Sequence, residues 1–555
     1  MKRTAQTFFF VVLFASTVFG ATQRYIVATR TATELPRAAA MIRDIESPPT
    51  GQPVARRIRT FHLVNAFAAN LDESEVAKLR AADNVSYVAP VVERHALEIG
   101  AGTASQSDTP NPFAQVVPYG IDLVRAREVW PVTRGEGINV VIVDTGIDYT
   151  HPELAAVYQG GMNELTGSND PKDDNGHGTH VAGTIAAADN NVGVVGVAPH
   201  VKLWSVKVLD SSGNGTNDSV IAALDWIAQQ KKTLGGDWVV NLSLGSATAD
   251  PTERAAFTKA VQNGLLICAA SGNDSTVDLP APVGYPAAYA GVVAIGAIDS
   301  TKAIAVFSNQ GPQLGVVAPG VAVLSSFPVG TGVLGNVRTS AGSYTAAQLQ
   351  YSARGSVTAP FVKCGIGNPS DFPEAVKGKI AVIQRGTLTF SAKVHNAVAA
   401  GAVGVVIYNK DDTTDFVSWG LGSSTDSATT QSWPIAIGMS YADAMNMLAN
   451  SSGEMTITND NADYEFLSGT SMATPHAVGV AALVWSVAPQ LAASDIIQAL
   501  EQNADDLGAS GFDTVFGSGL IDALTAAKAL APSRFGNPST TPPPTSSKTH
   551  AVRHH

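Results

Sequence analysis

From Gly137 onward the sequence alternates short apolar runs with segments of helical period, and few architectures accommodate that pattern. INVVIVD, KLWSVKVL, WVVNLSLG, LLICAASGN and VVAIGAI read as strands without a polar face. HGTHVAGTIAAA, SVIAALDWIAQQ and ERAAFTKAVQN read as the helices between them. Strands buried on both faces and joined through helices predict an α/β fold with a parallel sheet and helices on both faces. Functional groups in such sheets gather beyond the carboxyl ends of the strands. Asp144 ends one apolar run and Asn273 follows another.

The alternation stops at SSFP, residues 325–328, and resumes at YEFLSGTS, residues 464–471. Between them GKIAVIQRGTLTFSAKVHNAVAAGAVGVVIYN and WPIAIGMS carry strand and helix patterns of their own. A separate β-rich domain is therefore expected over residues 341–459, splitting the α/β domain into 106–340 and 460–531. Upstream, RYIVATR, PRAAAMIRDI, RTFHLVNAFAANL, SEVAKLRAA and NVSYVAPVVE follow one another in the order βαββαβ. That order predicts a small α+β plait over residues 21–105. A chain of 555 residues needs several such cores rather than one.

The ends have other compositions. Residues 1–20 carry Lys2 and Arg3 ahead of an apolar stretch with small residues before Ala21, the form of a secretory signal, so a secreted, extracellular product is expected. That stretch is too short to span a bilayer comfortably, so no membrane association is expected once it is removed. Residues 532–555 are rich in Pro, Ser and Thr and predict a tail without a core. A net charge of −12 argues against nucleic acid or an anionic membrane as partner. Cys268 and Cys364 are the only cysteines, too few for a disulfide framework, and Cys268 in LLICAA reads as a buried small apolar residue.

Three motifs carry chemistry: DTGID at 144–148, DDNGHGTHVAG at 173–183 and LSGTSMATPH at 467–476. A serine hydroxyl attacks well only when an imidazole takes its proton and a carboxylate fixes the tautomer of that imidazole. Asp144, His177 and Ser471 supply these groups. Ser471 stands at the start of an apolar helix whose Pro475 is expected in the first turn, where a missing N–H costs little. A serine there is by itself no more than an N-cap, and Asp144 by itself a strand-end turn residue. His180, three residues after His177, could form a metal pair with it, but no HExxH or second ligand pair accompanies them.

Taken together, the three motifs and their order Asp, His, Ser resemble the subtilisin family of serine proteases. The resemblance implies a Ser-His-Asp triad of Asp144, His177 and Ser471, with Asn273 in AASGND as an oxyanion-hole donor. It implies that Gly213, Asn214 and Gly215, with Ser243, Leu244 and Gly245, form two edges between which an extended peptide adds as a strand. Gly284 matches a position at the base of the pocket for the residue before the cut. Asp274, near the rim, offers little as a solvent-screened charge.

AFAANL and VSYVAPV make residues 21–105 similar to the inhibitory pro-segment of that family, cut from the enzyme in the exposed link 99–118. Gln384, Arg385, Gly386, Phe390, Lys393 and the Ala400-Gly401 pair make the insertion resemble a protease-associated domain, read as a spacer or substrate gate. The implied protein is a secreted, self-processed, monomeric endopeptidase acting on proteins and peptides, with its own pro-segment as intramolecular inhibitor. No cofactor is implied for catalysis. A structural calcium is left open, with Glu153 in HPEL as the nearest analogy and no ligands assigned. The alternatives are an exopeptidase, a metal-dependent hydrolase, and a protease-associated-domain binding or adhesion protein on an inactive protease scaffold.

Overall fold

The computed structural model describes residues 22–42, 58–98, 115–349, 351–410, 421 and 433–536. The secretory-signal reading at 1–20, most of the 99–118 link and the tail beyond 536 lie outside the described residues. The chain divides into two compact units, Met1–Val91 and Val92–His555.

The first unit holds a four-stranded antiparallel sheet in the order Ile58–Thr60, Ala66–Leu71, Gln23–Thr29, Val85–Pro90. Helix Glu73–Ala81 begins at a capping box: Asp72 accepts from the Glu75 backbone (2.8 Å), and the Glu75 carboxylate accepts from the Asp72 backbone (3.0 Å). Val76 and Leu79 of this helix pack on Val27, Phe67 and Leu71 of the sheet. The strand and helix order is the βαββαβ expected.

The second unit is built on a seven-stranded sheet. Its strands run in the spatial order Leu314–Pro319, Val292–Ile298, Leu265–Ala270, Trp238–Leu242, Asn139–Asp144, Lys202–Lys207, Tyr158–Asn163, and every pairing is parallel. The central strands have no exposed residue, and each wholly buried Val, Leu or Ile contributes roughly 1.5–3 kcal/mol. Helix Thr470–Val487 packs against four strands of the sheet and against helix His177–Ala186. It is buried along its whole length except at Ser486, which is why its sequence is apolar all round.

Pro475 lies inside that helix rather than in its first turn. The Ser471 carbonyl, four residues earlier, therefore receives no helical N–H. The Ser243 hydroxyl donates to it instead, at 2.7 Å.

Strands Val323–Ser326 and Tyr464–Leu467 pair antiparallel, with Ser326 opposite Tyr464, so the two ends of the insertion lie side by side. The insertion is a closed barrel ordered Gly332–Thr339, Gly342–Gln348, Ala436–Met439, Gly404–Tyr408, Ile380–Gln384, Gly355–Lys363, Glu454–Ala462. Closure pairs each of these strands on both sides. The barrel is wider than the expected 341–459 because the strands at 332–339 and 454–462 pair with each other to close it.

Strand Glu93–Ala96, which falls within the 21–105 bounds expected for the α+β plait, belongs to the second unit. There it pairs antiparallel on one edge with Asn214–Thr216 and on the other with Leu244–Gly245.

Candidate active site

Asp144 ends strand Asn139–Asp144 with its carboxylate fully buried. Its Oδ1 accepts from the Thr145 backbone (2.7 Å) and lies 2.7 Å from His177 Nδ1. His177 opens helix His177–Ala186, and the loop before it is tied down by Asp173. One Asp173 oxygen accepts from Thr145 Oγ1 and Gly176 N (both 2.9 Å), the other from Thr179 N (2.9 Å). Burial alone would lower the His177 pKa, but the Asp144 charge and hydrogen bond outweigh it and hold the imidazole above its ordinary value; Glu98 adds to the rise. The far ring nitrogen, His177 Nε2, is buried without a hydrogen-bond partner.

Ser471 sits in the first turn of helix Thr470–Val487, where backbone N–H groups favour negative charge. Its Oγ donates to the Ser243 carbonyl (2.8 Å) and accepts from Leu97 N (3.1 Å). Asn273 is held by its oxygen, which accepts from Thr470 N and Thr470 Oγ1, both at 2.9 Å. That fixes Asn273 Nδ2 as a buried donor with no partner. Gly469 explains why the approach is open: a Cβ there would stand 2.4 Å from the Leu97 carbonyl oxygen and 3.2 Å from Asn273 Nδ2. The same Leu97 oxygen accepts from Ser471 N at 3.3 Å.

Residues 92–98 lie through the cleft as an extended peptide. Arg94 stands opposite Gly215, His95 between Asn214 and Gly245, and Ala96 opposite Leu244. Ala96 N donates to Gly213 O (2.9 Å) and Leu97 N to Ser243 O (3.3 Å). All six residues read from the sequence as the two edges therefore meet this segment. The Leu97 side chain reaches Gly245, where an added Cβ would lie 3.2 Å from Leu97 Cδ1. Gly284 lies in the neighbouring turn, donating to Ser271 O (2.8 Å).

Two residues that the motifs do not reveal are part of this cleft. Arg94 and Glu253 are both fully buried and form an ion pair. They are 159 positions apart, and Glu253 lies in a segment that reads as an ordinary amphipathic helix.

The metal readings fare differently. His180 Nε2 lies 2.9 Å from Val323 O and 3.1 Å from Glu465 O, and burial lowers its pKa to about 3, so it is a neutral donor tying the insertion's two flanking strands together. The Glu153 carboxylate accepts from Tyr464 Oη (2.9 Å), Asn190 Nδ2 (3.0 Å) and Val194 N (3.3 Å), and burial pushes its pKa up to about 7. Oxygens turned toward three proton donors do not fit a cation. Among the described residues no group of three or more His, Cys, Asp or Glu is placed to hold one. Cys268 and Cys364 are both buried and unpaired.

Comparison with known proteins agrees with this geometry. Residues 135–362 match the Subtilase family and residues 357–447 match the PA domain. Subtilisin DY of Bacillus licheniformis is 44% identical over 219 residues, 39% of this chain and 77% of that protein. Subtilisin E of Bacillus subtilis (strain 168) is 37% identical over 275 residues, 49% of this chain and 66% of that protein. The crystal structure of the psychrophilic subtilisin-like protease Apa1 from the Antarctic psychrotroph Pseudoalteromonas sp. AS-11 has 32% identity and a TM-score of 0.64. That similarity covers 76% of this chain and 100% of that one. The chain belongs to the subtilase family, serine endopeptidases of the subtilisin type, and carries a PA domain inserted within its catalytic fold.

Proposed function

We propose that this chain is the precursor of a secreted serine endopeptidase with Asp144, His177 and Ser471 as its triad, and that its first substrate is its own bond between Leu97 and Glu98. The observation that carries the reading is the segment 92–98, paired on both edges in the cleft, with the Leu97 carbonyl oxygen accepting from Ser471 N. This puts the cut at the near edge of the 99–118 link expected from sequence: a cleft selects by strand register, not by exposure alone.

The chemistry follows from the groups at hand. Ser471 Oγ, released from the Ser243 carbonyl, gives its proton to His177 Nε2 and attacks the Leu97 carbonyl carbon. Asp144 holds the Nδ1–H and stabilises the imidazolium that forms. The Leu97 oxygen becomes an oxyanion, met by Ser471 N–H and the unpartnered Asn273 Nδ2. The C–N bond then breaks, the Glu98 nitrogen takes the proton from His177, and Leu97 is left as an ester on Ser471. Water, deprotonated by His177, releases it. In other substrates the two cleft edges hold any extended backbone, so proteins in general serve, and segment 22–97 remains as an inhibitor until it is lost. Export rests on the composition of residues 1–20.

N-terminal sequencing of the first processing product tests this. The expected new terminus is Glu98. A first product beginning elsewhere, before any secondary trimming, would overturn the assigned bond.

A further inference from the structure

Along strand Glu93–Ala96 only Arg94 is buried; Glu93 is exposed and His95 and Ala96 are half-buried. All five N–H donors of its guanidinium are taken. Nε donates to Glu253 Oε1 (3.1 Å) and Nη2 to Glu253 Oε2 and Thr248 O (3.1 Å). Nη1 donates to Ser246 Oγ (2.7 Å) and to the Glu93 carbonyl of its own strand (2.9 Å). This is a fork-to-fork match of a planar cation with a carboxylate, a geometry that a lysine ammonium cannot copy.

The receiving side is built independently of Arg94. Glu253 lies in the first turn of helix Pro251–Gln262, capped by Asp250, whose Oδ1 accepts from Glu253 N (2.8 Å). Tyr289 donates its hydroxyl to Glu253 Oε2 (2.8 Å), fixing the carboxylate's orientation. The pocket belongs to the catalytic fold, whereas Arg94 belongs to the peptide that lies in the cleft.

Resting on the reading of 92–98 as a bound substrate, we infer that Glu253 makes this protease select arginine at the fourth residue before the bond it cuts. When the segment departs, Glu253 remains at the base of a pocket that only a bidentate cation satisfies. An uncharged side chain entering there leaves the carboxylate desolvated and unpaired. Asp274, the acidic residue that the sequence places near the rim, is instead occupied by Asn309 Nδ2 (3.0 Å).

The test uses mature enzyme and four chromogenic peptides ending in leucine before the leaving group, with arginine, lysine, citrulline or alanine three residues upstream of that leucine. Citrulline keeps the shape of arginine and removes its charge. Arginine is expected to raise kcat/KM about 30-fold or more over alanine and citrulline, the scale of losing one partner of a buried hydrogen-bonded charge pair, with lysine between. Glu253→Gln should bring the arginine-to-alanine ratio to within about threefold of one.

If the variant does not fold, digestion of a proteome-derived peptide library by the unaltered enzyme gives the same reading, with arginine expected to be the commonest residue at that position. Equal cleavage of all four peptides, or a library without arginine enrichment, overturns the pocket assignment and leaves the triad standing. An enzyme that cuts neither peptides nor library overturns the triad reading, and this inference with it.

Discussion

Lys393 in the inserted barrel and Arg94 in the cleft are both cations with no exposed surface, and they are satisfied in opposite ways. The Lys393 ammonium donates to two backbone carbonyls of its own domain, Ile366 O and Gln384 O (3.0 Å). Burial favours its neutral form, and Asp371 opposes that. Nothing in this arrangement is able to leave. Arg94 is instead held by a side-chain carboxylate on another element, and the strand that carries it is joined to the catalytic fold by edge pairing. The first arrangement locks a loop to a helix; the second, on the inference drawn above, is a recognition site occupied by its own chain. Buried charge therefore says little about function until the origin of its partners is known.

The comparison breaks most completely if the cleft segment is a permanent part of the fold. Ser471→Ala should abolish processing, so that precursor containing residues 22–98 accumulates while the parent chain is trimmed. Turnover on added peptide should fall by about 10⁶-fold, the magnitude known for loss of the nucleophile in subtilisin itself. Mass spectrometry of both proteins made in a protease-free host decides it. A correctly trimmed Ser471→Ala protein would assign the cut to something else.

Next in size is the oxyanion donor. Asn273→Ala removes the Nδ2 that lacks a ground-state partner, so kcat should fall by about 100- to 1,000-fold with KM little changed, again the scale known for the equivalent donor in subtilisin. Near-normal turnover would mean that Ser471 N–H suffices. The variant also removes Asn273 Oδ1, the acceptor for Thr470 N and Thr470 Oγ1, so the melting temperature should fall as well, and kcat is therefore to be read well below it on folded protein.

Lys393→Met tests the other side of the comparison. It leaves the Ile366 and Gln384 carbonyls without their donor, at about 1–3 kcal/mol for each buried unmet group. Calorimetry should show a less stable barrel, by about 2–6 kcal/mol in all. Cleavage of a small peptide should stay within about tenfold, because the barrel joins the catalytic fold through the paired strands Val323–Ser326 and Tyr464–Leu467. Parallel loss of stability and peptide cleavage would show that the barrel helps build the active site.

How much of this is legible in the sequence depends on whether a feature is local. The parallel sheet follows from apolar runs such as INVVIVD, because a strand buried on both faces needs no partner to be recognised. The contexts of Asp144, His177 and Ser471 are legible because the turns that present them use adjacent residues. Glu253 is not legible. In ERAAFTKAVQN it has the form of a first-turn acid facing water, and its buried partners Arg94 and Tyr289 come from distant positions that leave no local mark. The bond proposed to be cut escapes for the same reason: composition marks 99–118 as exposed link, but a one-residue change of register would present a different carbonyl to Ser471. Pro475 departs from its expected place because its cost is met by Ser243, 228 positions before the carbonyl it serves.

The smallest expected effect concerns Glu98, the residue after the bond proposed to be cut. Burial of His177 disfavours its charge, Asp144 more than restores it, and the Glu98 carboxylate pushes the pKa further up. A general base must be neutral to accept the Ser471 proton, so processing should be slow while His177 is protonated and should quicken as pH rises through its pKa. Because that pKa is raised, the midpoint for self-processing should lie above the ordinary imidazole value. Glu98→Gln removes one of the raising charges and should move the midpoint to lower pH, with the plateau rate reported separately so that any change in leaving-group fit is not mistaken for a shift. The same substitution should leave the midpoint for an added peptide unchanged, since residue 98 is then no longer beside His177. Equal midpoints for parent and variant precursors would mean that Glu98 is screened from the imidazole and that the cleft admits water before the first cut.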